Sequence, residues 1–143
     1  ASYAVRGADA GVPQFGKGAR ATAQLIDGRD RTGKVVRQIE VRFPPAVATE
    51  NAPRAYDYEV EARLTKGVVT RTVIAKRVYS PRFHFPPRLD TEDVVCRFAL
   101  DELSDNHDSI RFMIRPCNAW GEAGEPLATR PESFDPAPPR YAF

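Results

Sequence analysis

The sequence predicts an all-β domain, a seven-stranded antiparallel β-sandwich. Apolar and polar residues alternate with a period of two in several segments, which is typical of strands with one buried face. Turn residues separate these segments, and no segment carries the apolar stripe that a helix needs at a 3.6-residue spacing. Short strands separated by turns, without helices, favour two packed sheets.

The first two strands are predicted from a turn dipeptide and from alternation. Residues 19–26 form the first candidate, and we expect the dipeptide Asp27-Gly28 to end it. Residues 38–43 alternate strictly between polar and apolar side chains until two prolines follow, and proline cannot donate to a strand ladder. The pattern therefore predicts a half-buried second strand.

The remaining strands follow the same logic. Residues 56–64 alternate again, and residues 68–79, rich in Val and Thr, run back after a Lys-Gly turn, which predicts a long hairpin. Further strands are predicted at residues 94–100 and 110–115, and a short, proline-marked edge strand at residues 126–130.

The organisation of the chain follows from its glycines and prolines. We assign residues 1–18 to a linker, with residues 13–15 packing onto the domain edge, and residues 19–131 to the sandwich. Residues 132–143 form a Pro-rich tail. Because the chain begins with Ala1 and has no initiator Met, we expect it to be a piece of a longer protein.

Charge and hydropathy exclude two classes of partner. The net charge of +2 is far from the strong basic excess of nucleic-acid-binding proteins, so no nucleic acid is expected. No apolar run approaches the roughly 20 residues that span a bilayer, so no membrane insertion is expected.

The titratable residues do not form a recognisable catalytic or metal-binding pattern. The two histidines are too few for a multi-histidine site: His84 is interpreted as a packed loop residue and His107 as a solvated one. Residues 105–108 offer fewer oxygen ligands than a calcium loop requires. Glu59 and Glu61 share one strand face, as the polar half of an alternating pattern does. We therefore predict no catalytic residue, no metal site, no cofactor and no enzyme activity.

The cysteines and the arginines leave alternatives open. Strand parity places Cys96 on an apolar face and Cys117 on a polar one, which favours two separate thiols. Arg111 and Arg115 share a face of one strand, and with Arg97 in a neighbouring strand they would form a basic stripe for an anion. Because acidic residues balance them in number, a solvated face of ion pairs is the favoured interpretation.

Trp120 lies in the last predicted hairpin turn. An exposed tryptophan there would contact a glycan or a protein partner, whereas a packed one would cap the end of the core. The sequence does not choose between these two roles.

The last third of the predicted sandwich resembles the fibronectin type III family. The pattern consists of an upstream leucine, alternate core residues and a turn with Asn and Gly, here Leu103, Ile110, Phe112, Ile114, Pro116, Asn118 and Gly121. The chain departs from the family in having Ile110 at the place of the corner tyrosine and Pro116 at the place of a small residue. The resemblance implies the sandwich fold of that family.

A finer resemblance concerns the first half of the chain. It is similar to an accessory domain that follows the catalytic domain of some bacterial secreted or cell-envelope metallophosphoesterases, through Pro13, Phe15, Phe43, Pro44, Pro45, Ala46, Tyr56, Tyr58 and Val60. The catalytic motifs of that superfamily are absent. The resemblance implies an extracellular or periplasmic location and a neighbouring domain of the same parent chain as partner.

These observations together predict a non-catalytic accessory module that packs against or orients a neighbouring catalytic domain. The alternative is a binding module for a cell-surface glycan, an anionic polymer or a partner protein, with Trp120, Arg97, Arg111 and Arg115 as candidate contacts.

Overall fold

Strands form at each predicted position in the residues that the computed structural model describes, 11–47, 54–81, 92–103 and 107–134. They are β1 (Thr22–Arg29), β2 (Val35–Phe43), β3 (Asp57–Lys66), β4 (Val69–Tyr79), β5 (Val94–Ala99), β6 (Ser109–Cys117) and β7 (Leu127–Ala128). A short 3-10 helix, Leu100–Leu103, follows β5, and no α-helix occurs in the described ranges.

The strands form two antiparallel sheets. One sheet has three strands in the order β1-β2-β5, and the other has four in the order β4-β3-β6-β7. The pairs β2–β5 and β3–β6 join strands that are distant in sequence. The described residues therefore form an all-β sandwich.

The core lies between the two sheets and is built from the alternate residues of each strand. Phe98 of the three-stranded sheet and Phe112 of the four-stranded sheet are both fully buried, with ring centroids 5.0 Å apart. Ile39 pairs with Phe98 across one sheet, and Ala62 with Phe112 across the other. Burial of each large apolar side chain contributes about 1.5–3 kcal/mol, so this alternation stabilises both sheets at once.

The first strand ends later than predicted. We expected Asp27-Gly28 to end the first strand, but β1 continues to Arg29. The turn is organised instead by Asp30, whose Oδ1 accepts hydrogen bonds from the backbone N–H groups of Thr32 (2.9 Å) and Lys34 (3.0 Å). The predicted end of the strand was wrong because Gly28 pairs with Val36 within the ladder and does not turn the chain.

Residues 11–18, which we assigned to a linker, lie against the sandwich. The ring of Phe15 contacts the rings of Phe43 and Tyr58, with centroid distances of 6.1 and 6.0 Å. The carbonyl oxygen of Gln14 accepts a 2.9 Å hydrogen bond from the N–H of Val47. This segment therefore reaches the core at the end where β2 finishes and β3 begins.

The chain beyond β7 also stays in contact with the sandwich. Glu132 exchanges two backbone hydrogen bonds with Ile110, of 2.7 and 2.9 Å, and Phe134 packs against the core. The strand pairing thus extends one residue beyond the predicted domain limit at residue 131.

The open side of the sandwich between β4 and β5 is bridged by a lysine. Lys76 of β4 points toward the core, in register with Val60, and its Nζ lies 5.0 Å from the ring centroid of Phe98. Nζ donates to the carbonyl oxygen of Arg97 (3.0 Å) and to Glu102 Oε1 (3.0 Å). The two sheets are therefore tied together by a polar contact at this side.

Candidate functional site

The three candidate arginines do not form one surface. Arg97 lies on β5 of the three-stranded sheet, whereas Arg111 and Arg115 lie on β6 of the other sheet. All three alternate with buried residues and so point away from the core, toward opposite outer faces of the sandwich. We expected the strand of Arg97 to lie beside the strand of Arg111 and Arg115, and this was wrong. Strand order depends on pairing between segments distant in sequence, which local alternation does not encode.

Arg97 is neutralised by an acidic residue of its own sheet. Its Nη2 lies 3.2 Å from Glu40 Oε2, and Arg42 Nη2 lies 3.0 Å from Glu40 Oε1. The hydrogen bond from Arg42, followed by that from Arg97, lowers the pKa of Glu40 although its burial opposes this. The carboxylate of Glu40 is thus shared by two guanidinium groups.

Arg115 is held in the same way on the opposite face. Its Nη1 lies 2.6 Å from Glu61 Oε1 and 3.7 Å from Glu59 Oε1, while Arg63 Nη2 lies 3.1 Å from Glu61 Oε2. Burial raises the pKa of Glu61, but the hydrogen bond from Arg63 and the charge of Arg115 outweigh it, and the net effect is a lowered pKa. Ion-paired arginines offer little free positive charge to an anionic ligand.

A third ion pair covers Cys117. Asp57 is 4% exposed and receives a 2.9 Å hydrogen bond from Arg77 Nη1. Cys117 pairs with Asp57 across β3 and β6 and is buried although strand parity puts it on the outer face. Burial raises the pKa of its thiol, as it does for Cys96. Both cysteines are free, and neither thiol is activated as a nucleophile.

Three exposed aromatic residues lie at one end of the four-stranded sheet, and we call them the aromatic rim. They are Tyr56 (36% exposed), Tyr79 (51%) and Trp120 (63%). Tyr79 pairs with Asp57 at the end of β4, and the N–H of Tyr56 donates to the carbonyl oxygen of Cys117 at the end of β6 (2.8 Å). Exposed groups of large aromatic side chains often mark interaction sites on protein surfaces.

Trp120 is presented by a turn that Asn118 organises. Asn118 is 4% exposed, and its Oδ1 accepts hydrogen bonds from the N–H groups of Trp120 (3.0 Å) and Glu122 (2.9 Å). Its Nδ2 donates to Glu122 Oε1 (3.0 Å), and Gly121 adopts a φ of 83°. The sequence left open whether Trp120 caps the core or faces solvent, and the structure places it in solvent.

A cavity of about 260 Å³ opens at the same end. Tyr58 and Ser80 line its inner part, and Val47 and Arg54 are among the exposed residues at its border. The hydroxyl of Tyr58 accepts a 2.8 Å hydrogen bond from the N–H of Ala46, and the N–H of Ser80 donates to the carbonyl oxygen of Tyr56 (3.0 Å). The cavity therefore lies close to Tyr56 at the end of the sandwich that carries the aromatic rim.

Other candidate chemistry falls outside this surface. No cluster of three or more His, Cys, Asp or Glu residues is placed to hold a metal ion within the described ranges. His84 and two residues of the polar turn at 105–108 lie outside those ranges, and His107 is half-buried. In the part of the chain that the structure describes, no helix is long and apolar enough to cross a membrane.

Comparison with known proteins gives no match: no family model, no curated protein and no solved structure resembles the chain significantly.

Proposed function

We propose that this chain is a fibronectin type III-like sandwich that serves as a non-catalytic accessory module of a larger bacterial protein. In this proposal it packs against a neighbouring, catalytic domain through the aromatic rim. The observation that carries the proposal is the gathering of Tyr56, Tyr79 and Trp120 at one end of the sandwich. Aromatic residues and arginine are enriched in the centres of protein–protein interfaces.

The strand order supports the fibronectin type III type. A constant immunoglobulin domain has its fourth strand in the sheet of the first, second and fifth strands. Here the fourth strand, β4, pairs with β3 instead, in a four-stranded sheet. That arrangement is typical of fibronectin type III domains, the family which residues 103–121 resemble.

The finer resemblance also has a structural counterpart. Phe15, Phe43 and Tyr58 form one aromatic cluster, and Ala46 donates to the hydroxyl of Tyr58. These residues belong to the segments that resemble the accessory domain of metallophosphoesterases. Their mutual contact supports a shared structural role, and on this basis we propose a metallophosphoesterase as the neighbouring catalytic domain.

The position of the rim favours a neighbour in the same chain. Residues 11–18 approach the sandwich at the end that carries the rim: Glu125, five residues after Trp120, donates from its N–H to Gln14 Oε1 (3.3 Å). The first described segment thus lies at the end of the sandwich that carries the rim.

Glycan binding is the alternative, and exposed Trp120 is the observation in its favour. Flat stacking of sugar rings needs aromatic faces that are open and parallel. The rings of Tyr56 and Tyr79 instead meet edge to face, at 88° and a centroid distance of 5.6 Å. With this geometry, Trp120 is the one ring of the rim on which a sugar could stack flat. A protein partner could instead pack against all three side chains as an uneven apolar surface.

Hydrogen–deuterium exchange tests the docking proposal. The complete gene product and the isolated chain would be compared, with the peptide that contains Trp120 as the reporter. We expect slower exchange of this peptide in the complete protein, and we expect the double substitution Tyr79→Ala with Trp120→Ala to remove the difference. Val68→Ala is the matched control, since Val68 is fully exposed in the hairpin turn at the opposite end of β3 and β4.

Equal exchange of this peptide in both proteins would reject docking through the rim. A glycan array probed with wild-type chain and with Trp120→Ala would then decide the alternative. Binding that is lost in the variant would assign the rim to a glycan.

A further inference from the structure

The outer edge of β1 is open in the part of the chain that the structure describes. β1 pairs with β2 along all eight residues, and no described strand lies on its other side. Residues 22–26 contain neither a charge nor a proline, which are devices that natural sheets use to protect an edge. The edge is thus a ready template for another strand.

The other long edge strand differs in this respect. The pairing of β4 with β3 shifts register at Ala62 and Arg63, which marks a bulge, and β4 carries the inward-pointing Lys76. A bulge and an inward charge both discourage edge-to-edge pairing. The edge of β1 is therefore less protected against strand pairing than the edge of β4.

Space for an added strand exists on both sides of this edge. A cavity of about 460 Å³ lies between β1 and β7, where Ala21, Ala23 and Leu127 line it. A second cavity, of about 490 Å³, follows the residues before β1. Both are lined by Ala19, Arg20 and Thr22, so the two cavities flank the start of β1, and we call them together the groove.

The charge of the groove defines what fits it. Its lining includes four basic residues and two acidic ones. Lys17, Arg20 and Arg130 line the groove and make no ion pair with any residue that the structure describes. Asp93 and Glu132 are the acidic residues among those lining it. The groove therefore has free positive charge, in contrast to the ion-paired Arg97 and Arg115.

We propose that β1 binds an extended acidic segment of a partner protein by strand addition. The segment extends the three-stranded sheet, and its backbone pairs with the outer edge of β1. Because Ala23 packs toward the core while Thr22 faces solvent, alternate residues of the segment meet the apolar floor formed by Ala21, Ala23 and Leu127. The residues between them carry carboxylates toward Arg20 and its basic neighbours.

A displayed library of random peptides, each longer than β1, tests this proposal against the isolated chain. We expect selection of peptides that alternate apolar and acidic residues. The double charge reversal Arg20→Glu with Arg130→Glu is expected to raise the Kd of a selected peptide by about tenfold or more. Arg111→Glu is the matched control, because Arg111 is exposed on the other sheet and has no ion pair with a described residue.

A second measurement separates strand addition from simple charge attraction. Methylation of alternate backbone nitrogens in the selected peptide removes donors that the ladder needs but leaves every carboxylate in place. Two methylated peptides result, one for each set of alternate nitrogens. We expect binding to be lost in the peptide whose methylated nitrogens would face β1. Unchanged binding of both methylated forms, selection of peptides without acidic residues, or no selection at all would overturn the proposal.

Discussion

Asn118 is the residue on which the geometry of the aromatic rim depends. Its side-chain oxygen accepts hydrogen bonds from the N–H groups of Trp120 and Glu122. Its side-chain nitrogen donates to the carboxylate of Glu122. Its own N–H donates to the carbonyl oxygen of Glu122 (3.0 Å).

Asn118→Ala is expected to lower the free energy of unfolding by about 1–3 kcal/mol, because it removes the acceptor of two part-buried hydrogen bonds, each with a net contribution of about 0.5–1.5 kcal/mol. Urea denaturation measures this difference. Glu125→Ala is the control, since the side chain of Glu125 is exposed, and a change within about 0.5 kcal/mol is expected there. Equal stability of Asn118→Ala and wild type would contradict the assigned role.

At the scale of elements, the segment at residues 11–18 is held by close backbone contact with the turn after β6. Gly124 approaches the backbone of Pro13 so closely that a Cβ at this position would overlap the Pro13 carbonyl oxygen. Its N–H donates to the carbonyl oxygen of Pro116 (2.9 Å), so the glycine has little freedom to move away. The contact is thus possible because Gly124 has no side chain.

Gly124→Ala is therefore expected to detach residues 13–15 from the sandwich and to expose Phe15. Faster deuterium exchange of the peptide that contains residues 11–18 measures the detachment. Gly121→Ala is the matched control: its φ of 83° costs about 1 kcal/mol of strain for alanine, but nothing lies near the added Cβ. If both variants exchange alike in this segment, the contact with Pro13 does not hold it.

Individual strands could be predicted from the sequence because alternation is a local signal. Ile39 and Phe43 of β2, like Ile110 and Ile114 of β6, are buried where alternation placed them inward. Strand bounds and strand partners depend on contacts distant in sequence, such as the pairing of β2 with β5. The sheet of Arg97 was therefore beyond a local reading of the sequence.

The candidate site was predictable only in part, for a similar reason. Trp120 was identified from its place in a turn, but Tyr56 and Tyr79 were assigned to strands and not to a surface. Their meeting requires the register of β3 against β4, which no single segment contains. Parity placed Cys117 on a polar face, and its burial there follows from contacts distant in sequence, among them the ion pair of Arg77 and Asp57.

For the whole molecule, the titrating groups limit stability on both sides of neutral pH. The pKa values of Glu40, Glu61 and Glu102 are lowered from 4.5 in the folded chain. Their contribution to stability is present above pH 4.5 and is lost as the pH falls through the lowered values. Burial raises the pKa of Cys96 from 9.0 to about 11, so unfolding is favoured increasingly as the pH rises through that interval.

Urea denaturation across the pH range, with a reductant present, tests this profile. We expect the free energy of unfolding to fall below pH 4.5 and again between pH 9.0 and about 11. Cys96→Ala is expected to be less stable at neutral pH, because it leaves a cavity in the core, but to show a shallower loss on the alkaline side. A variant with the wild-type alkaline slope would show that the Cys96 thiol does not cause that loss.

The exposure of Trp120 also determines what intrinsic fluorescence reports in this protein. It is the sole tryptophan of the chain, and it lies in solvent on a turn at one end of the sandwich. Because most of its surface is exposed in the folded chain, its emission changes less on unfolding than that of a core tryptophan, and it is a poor monitor of core melting. The same spectrum is a sensitive reporter of anything that covers the rim, because a shift to shorter wavelength then has one source.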